Sequence, residues 1–119
     1  MSSYRVFHYW RSTSSWRVRW ALAHKGIPAE FVAVSLLDGE SESDAHRARS
    51  PMGYVPVLEF VGEPDASRRY LVESLPIIEY LEETSPTNPL LPRDQRDRAH
   101  VRALAEIFDD GAGAALDRE

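Results

Sequence analysis

Four hydroxyl side chains in a row, Ser12-Thr13-Ser14-Ser15, stand between a β-like segment, Tyr4 to Tyr9, and an amphipathic run that ends at Lys25-Gly26. The start of a helix presents unpaired backbone N–H groups and the positive end of its dipole. Small hydroxyls placed there can add hydrogen bonds to a thiolate, carboxylate or phosphate. The same residues can serve simply as loop and N-cap. The chain has no cysteine, which excludes disulfides, Cys-ligated zinc, a Cys-x-x-Cys redox pair and a cysteine nucleophile. Any thiol used in chemistry must therefore arrive with a ligand. His8, His24, His46 and His100 are scattered with no pair at metal-ligand spacing, so each reads as a surface or structural histidine and no metal is implied. Neither a Gly-x-Gly-x-x-Gly nor a Walker-type loop is present to hold a nucleotide.

The elements that must position the hydroxyl run follow from periodicity. Tyr4 to Tyr9 is rich in aromatic and β-branched residues and reads as a first strand. Ser15 to Lys25 repeats apolar residues at helical spacing, with Gly26 and then Pro28 as the stop. Ala29 to Leu36 reads as a second strand, and the polar stretch from Asp38-Gly39 to Ser50 as the seat of a short, exposed helix. Pro56 to Phe60 and Arg69 to Val72 read as an antiparallel pair joined by a loop holding Gly62, Pro64 and Asp65. Ser74 is expected to cap a helix running to about Glu83, with Pro76 in the first turn, where proline is tolerated. The predicted order is β-α-β-α-β-β-α over residues 1–84. Residues 85–93 carry three prolines and read as a linker. Asp94 to Asp109 reads as one more helix, with Val101, Leu104 and Phe108 on its apolar stripe, before Gly111-Ala112-Gly113 weakens any continuation.

At 119 residues the chain fits one full domain with a fragment of a second. Hydrophobic content of 43% and charged content of 28% are those of a water-soluble globular protein, and no apolar run reaches the roughly 20 residues of a membrane span. A net charge of −5 argues against nucleic acid or an anionic membrane surface as partner. No export signal opens the sequence, which places it in the cytoplasm. Trp10, Trp16 and Trp20 fit core or interface packing better than base stacking.

Four pieces of sequence, in order, carry a family resemblance. They are Ser12 through Leu22; Pro51-Met52-Gly53-Tyr54-Val55-Pro56-Val57-Leu58; Glu73-Ser74 with Ile77-Ile78-Glu79-Tyr80-Leu81-Glu82-Glu83; and Leu90-Leu91-Pro92 followed by Arg98-Ala99-His100-Val101-Arg102. Together they resemble a glutathione transferase of the zeta class, which includes the maleylacetoacetate isomerases. The resemblance implies an α/β, thioredoxin-like glutathione-binding domain over 1–84, the linker at 85–93 and the first helix of an all-α domain over 94–119.

The resemblance also assigns roles. Ser12 is implied as the hydrogen-bond donor that favours the thiolate of bound glutathione, with Thr13, Ser14 and Ser15 as possible helpers, one of them being the helix cap. A cysteine thiol titrates at about 8.5, so donors that favour the charged form raise the nucleophile's population near neutral pH. The family pattern has serine at Thr13 and cysteine at Ser14, and both replacements here keep a small hydroxyl. Val55-Pro56 is implied to be a cis step whose Val55 backbone meets the cysteinyl part of glutathione. Glu73 and Ser74 are implied to hold the γ-glutamyl end, where the family usually has glutamine at Glu73. Tyr9 reads as packing near the sulfur site, and Arg17 as a further candidate for a ligand carboxylate. The implied activity is addition of glutathione thiolate to a small electrophile, by isomerisation of maleylacetoacetate or conjugation of halo acids, in a homodimer. Two alternatives stay open at this level. One is a non-catalytic glutathione-binding or protein-interaction module; the other is a scaffold that docks a partner on the Val101, Leu104 and Phe108 stripe.

Overall fold

The computed structural model describes residues 3–35, 39 and 43–108. Its elements are β1 (Tyr4–His8), α1 (Thr13–Lys25), β2 (Glu30–Ala33), α2 (Asp44–Arg49), β3 (Val57–Phe60), β4 (Tyr70–Val72), α3 (Ser74–Thr84) and α4 (Gln95–Phe108), with a 3-10 turn at Ala66–Arg68 before β4. The predicted β-α-β-α-β-β-α order is the observed one. The four strands form one sheet in the order β2-β1-β3-β4. β1 runs parallel to β2 and antiparallel to β3, and β3 is antiparallel to β4.

Period-2 alternation divides the sheet into two faces. Val6 and Leu58 point to one face, where Val18, Ala21 and Leu22 of α1 and Ile77 and Leu81 of α3 close over them to form the main core. Complete burial of a leucine or isoleucine side chain contributes about 1.5–3 kcal/mol, so this layer dominates the stability of the domain. Phe7 and Val57 point to the other face and pack with Val34. On that side α2 supplies Arg49, whose guanidinium lies 3.9 Å from the centre of the Phe7 ring.

The boundaries differ from expectation for physical reasons. β1 ends at His8 because Tyr9 turns the chain, its carbonyl accepting a 3.0 Å bond from Ser12 N–H. α1 starts at Thr13 because Ser12 caps it, and it stops where Gly26 takes φ 67°, a left-handed conformation that glycine adopts without steric cost. β2 is shorter than predicted, and Leu36 and Asp38 lie outside the described residues. α2 is short as expected yet not simply exposed, since His46 is fully buried. The three tryptophans are not core: Trp10, Trp16 and Trp20 are 65%, 47% and 68% exposed.

The expected linker after α3 is fastened down. Lys25, at the end of α1, donates to Glu82 Oε1 at 2.7 Å and to the carbonyl of Ser85 at 2.7 Å. Glu82 in turn accepts from the backbone N–H groups of Leu90 and Leu91 at 3.0 and 2.6 Å. Asn88 Nδ2 donates to the His24 carbonyl, which ties the loop back to α1. Asp94 then caps α4 by accepting from Asp97 N–H at 3.0 Å. α4 meets α3 through the Arg102–Glu79 ion pair. Leu104 on its stripe is 59% exposed. The Phe108 side chain and the glycines at 111 and 113 lie outside the described residues.

Candidate functional site

Strand register brings three separate sequence segments to one end of the sheet. Phe7 of β1 pairs with Val57 of β3, and Val57 pairs with Val72 of β4. The last residues of β1, the first of β3 and the last of β4 therefore lie side by side. The hydroxyl run leaves the end of β1, Val55-Pro56 leads into β3, and Glu73-Ser74 leaves the end of β4. An open depression bordered by Tyr4, Phe60, Gly62 and Tyr80 lies at the opposite end of the sheet, away from these groups.

The hydroxyls divide into distinct roles. Ser12, rather than one of its three neighbours, is the N-cap: its Oγ accepts from Ser15 N–H at 3.1 Å and its carbonyl from Trp16 N–H at 3.1 Å. Capping uses a lone pair, so the Ser12 hydroxyl hydrogen is still available for donation. Ser15 is fully buried, and its Oγ accepts from Tyr9 N–H at 3.3 Å, which commits it to the turn. Thr13 is exposed and Ser14 half-buried at the open end of α1. No acidic residue occupies the first turn, so the positive field of the helix end is uncompensated locally. The turn itself is braced by Trp16 Nε1, which donates to the Trp10 carbonyl at 3.0 Å.

The second segment carries a cis peptide bond between Val55 and Pro56. Proline cannot donate to a ladder, which suits the position just ahead of β3. The preceding loop is held by His46, whose ring nitrogen Nε2 lies 2.9 Å from the Tyr54 carbonyl.

The third segment departs from its expected local structure. Glu73 rather than Ser74 occupies the cap position of α3, with φ 74° and ψ 130° and no side-chain capping bond. Such a backbone costs a non-glycine residue about 1–3 kcal/mol and persists only where the surroundings impose it. Its side chain is exposed, while Ser74 is 2% exposed. Among the described residues, Ser74 Oγ has no hydrogen-bond partner. An unpaired buried hydroxyl costs about 1–3 kcal/mol.

Tyr9 is 7% exposed, and its hydroxyl also lacks a partner among the described residues. Burial first, and the positive charge of Arg19 second, hold the His8 imidazole below its usual value, so it is neutral at neutral pH. Sequence reasoning missed the His46 and Arg49 pair beside the cis step and the Lys25–Glu82 pair behind α1. The second pair had a signal: Lys25 follows Val18, Ala21 and Leu22 at helical spacing and so lies on the buried stripe.

Three comparisons bear on this geometry. Residues 6–89 match the family model for the glutathione S-transferase N-terminal domain. Maleylacetoacetate isomerase of Dictyostelium discoideum is 43% identical over 105 residues, which is 87% of this chain and 45% of that protein. Among solved structures, maleylacetoacetate isomerase of Anaeromyxobacter dehalogenans with glutathione bound in its active site is 50% identical, with a TM-score of 0.75 over 92% of this chain and 50% of that one. A bacterial maleyl pyruvate isomerase described as a zeta-class glutathione S-transferase is 42% identical, with a TM-score of 0.76 over 87% of this chain and 46% of that one. The chain spans about half the length of the curated relatives it matches. On the family match and the shared fold, this chain belongs to the glutathione S-transferase N-terminal domain family, with its similarity concentrated among the zeta-class isomerases.

Proposed function

We propose that this domain binds glutathione at the convergent end of the sheet and activates its sulfur as a thiolate. The observation that carries the reading is the meeting of Ser12, Val55 and Ser74 at that end, in a fold shared with relatives solved with glutathione bound. Ser12 donates its hydroxyl hydrogen to the sulfur, and Thr13 and Ser14 supply further donors at the start of α1. The Val55 backbone N–H and C=O pair with the cysteinyl residue beside the cis proline. Ser74, with its buried unpaired hydroxyl and the N-terminus of α3, receives the α-carboxylate of the γ-glutamyl end. The Glu73 carboxylate pairs with the neighbouring ammonium.

The movement of charge then defines the chemistry. The thiolate adds to an electrophilic carbon of a cis alkene conjugated to a carbonyl, and the alkene electrons move onto the carbonyl oxygen as an enolate. The former double bond is now single and rotates. Collapse of the enolate re-forms the alkene as trans and expels the thiolate, so glutathione is regenerated. With a small halo acid the same thiolate displaces halide and the conjugate is released. The protein's share is orientation and stabilisation of sulfur charge. Maleylacetoacetate is the substrate favoured by the names of the similar proteins. The 94–119 segment is read as the opening of an all-α domain, and a cytosolic homodimer as the working assembly; both rest on the family resemblance, and fractionation and solution mass check the latter.

Titration calorimetry with glutathione, followed by the ultraviolet thiolate band of the bound ligand, tests the reading. Heat with a thiolate band near neutral pH is expected. No heat at millimolar glutathione overturns it.

A further inference from the structure

Beside the cis step lies a buried polar cluster that the family resemblance does not mention. His46 of α2 is fully buried, and its two ring nitrogens face different partners. Nε2 lies 2.9 Å from the Tyr54 carbonyl, which can only accept. Nδ1 lies 3.4 Å from Arg49 Nη2, which can only donate. Those partners fit a ring that donates from Nε2 to Tyr54 and accepts at Nδ1 from Arg49. The guanidinium of Arg49 is itself stacked on Phe7 in the sheet. The backbone around the ring is also held: His46 N–H donates to Ser43 Oγ at 3.2 Å, Ser50 N–H to the His46 carbonyl at 2.8 Å, and Gly53 N–H to the Ser50 carbonyl at 2.8 Å. A chain of contacts therefore runs from the sheet through Phe7, Arg49 and His46 to the Tyr54 carbonyl. That carbonyl belongs to the peptide unit whose N–H is the Val55 N–H.

We propose that His46 is a positioning residue for ligand binding: it fixes the orientation of the Tyr54–Val55 peptide plane, so that the Val55 N–H is presented to the cysteinyl residue of glutathione. The proposal rests on the glutathione reading above. A peptide plane is rigid, so pinning its oxygen fixes the direction of its N–H. Met52 and Tyr54 on the same loop are 68% and 55% exposed, so side-chain packing there does little of this work. The ring contacts no sulfur-activating residue, and its effect falls on affinity and not on the ionisation of the bound thiol. This separates it from Ser12.

The experiment compares the unaltered chain with His46→Met, His46→Gln and Arg49→Met, using glutathione as the probe. Methionine fills the space without a donor, whereas glutamine places an N–H near the Nε2 position. Losing one such bond is expected to weaken binding about tenfold in His46→Met, and glutamine is expected to restore most of it. At saturating glutathione the thiolate band per bound ligand is expected to be the same in all variants. Arg49→Met removes the bond to Nδ1 and is expected to weaken binding by a smaller factor. It also serves as the second probe if His46→Met does not fold. Unchanged affinity in His46→Met and Arg49→Met, or failure of glutamine to rescue a folded protein, overturns the proposal. Binding by the unaltered chain with no effect of these variants leaves the glutathione reading standing, whereas no binding by the unaltered chain removes both.

Discussion

The two ends of α1 use polar groups in opposite ways. At its C-terminus the buried strong groups are paired: Gly26 N–H reaches the Ala23 and Leu22 carbonyls, Lys25 is shared between Glu82 and loop carbonyls, and Glu82 takes the amides of Leu90 and Leu91. At its N-terminus capacity is left over, in the hydroxyl hydrogen of Ser12, the exposed Thr13 and the half-buried Ser14, with Ser74 nearby along the same sheet end. A helix end built for stability saturates its hydrogen bonds, and one built for a ligand holds some in reserve. The difference also predicts how each end responds to mutation, in stability at one and in ligand chemistry at the other.

The sharpest break is at the saturated end. Glu82→Gln leaves the Lys25 ammonium buried without a counter-charge and is expected to cost about 3–5 kcal/mol in urea unfolding, with Lys25→Met costing a similar amount. Replacing both with well-packed apolar residues is expected to recover much of the loss. A double variant as unstable as the single ones would show that the pair does more than neutralise itself. Acid titrates the same contact. Burial alone would raise the Glu82 carboxyl, but the bond from Lys25 and the Leu90 and Leu91 amides outweigh it and hold it below its ordinary value. A lowered folded-state value means the contribution is fully present above the unfolded carboxyl's value of about 4.3, and is lost as pH falls from there through the folded value. Unfolding free energy measured from pH 7 downward should therefore drop in that acid range, and the drop should shrink in Glu82→Gln.

The open end gives smaller stability effects and larger chemical ones. Ser12→Ala removes both cap and donor, and is expected to cost about 1 kcal/mol of stability together with most of the bound-thiolate band. Ser12→Asp sharpens the contrast, because aspartate caps as well as serine but opposes a thiolate. Its melting temperature should stay close to that of the parent while the thiolate band disappears. A retained band in both variants would move the sulfur role to Thr13, Ser14 or Tyr9. Smallest is Glu73→Gly, where glycine relieves the φ 74° backbone and is expected to gain up to about 1 kcal/mol while glutathione binding weakens. Tighter binding in that variant would remove Glu73 from the site.

Much of this was legible in the residues themselves. The element order, the Gly26 stop of α1 and the Pro76 first turn of α3 follow from patterns within a few residues, where helical and strand periods and turn chemistry act. The choice among the hydroxyls was not legible. Any of four adjacent side chains can cap a helix, and which one does depends on where β1 ends and how Tyr9 turns. The burial of Lys25 and Glu82 was not read, and His46 was read only as a surface or structural histidine, because a charged or titratable residue on an apolar stripe looks the same in sequence whether its partner is a distant residue or water. Exposure of the three tryptophans ran against composition, which favours indoles in packed places.

Sequence by itself determined the segments and their chemistry: hydroxyls before one helix, a Val-Pro step before one strand, a carboxylate and a serine before another helix, and no thiol of the protein's own. Only the tertiary structure decided that these segments meet, because strand register couples Phe7 to Val57 and Val57 to Val72 across fifty and fifteen residues of chain. Local pattern sets what each residue can do, but side-by-side placement comes from long-range pairing and burial, which no short window of sequence encodes.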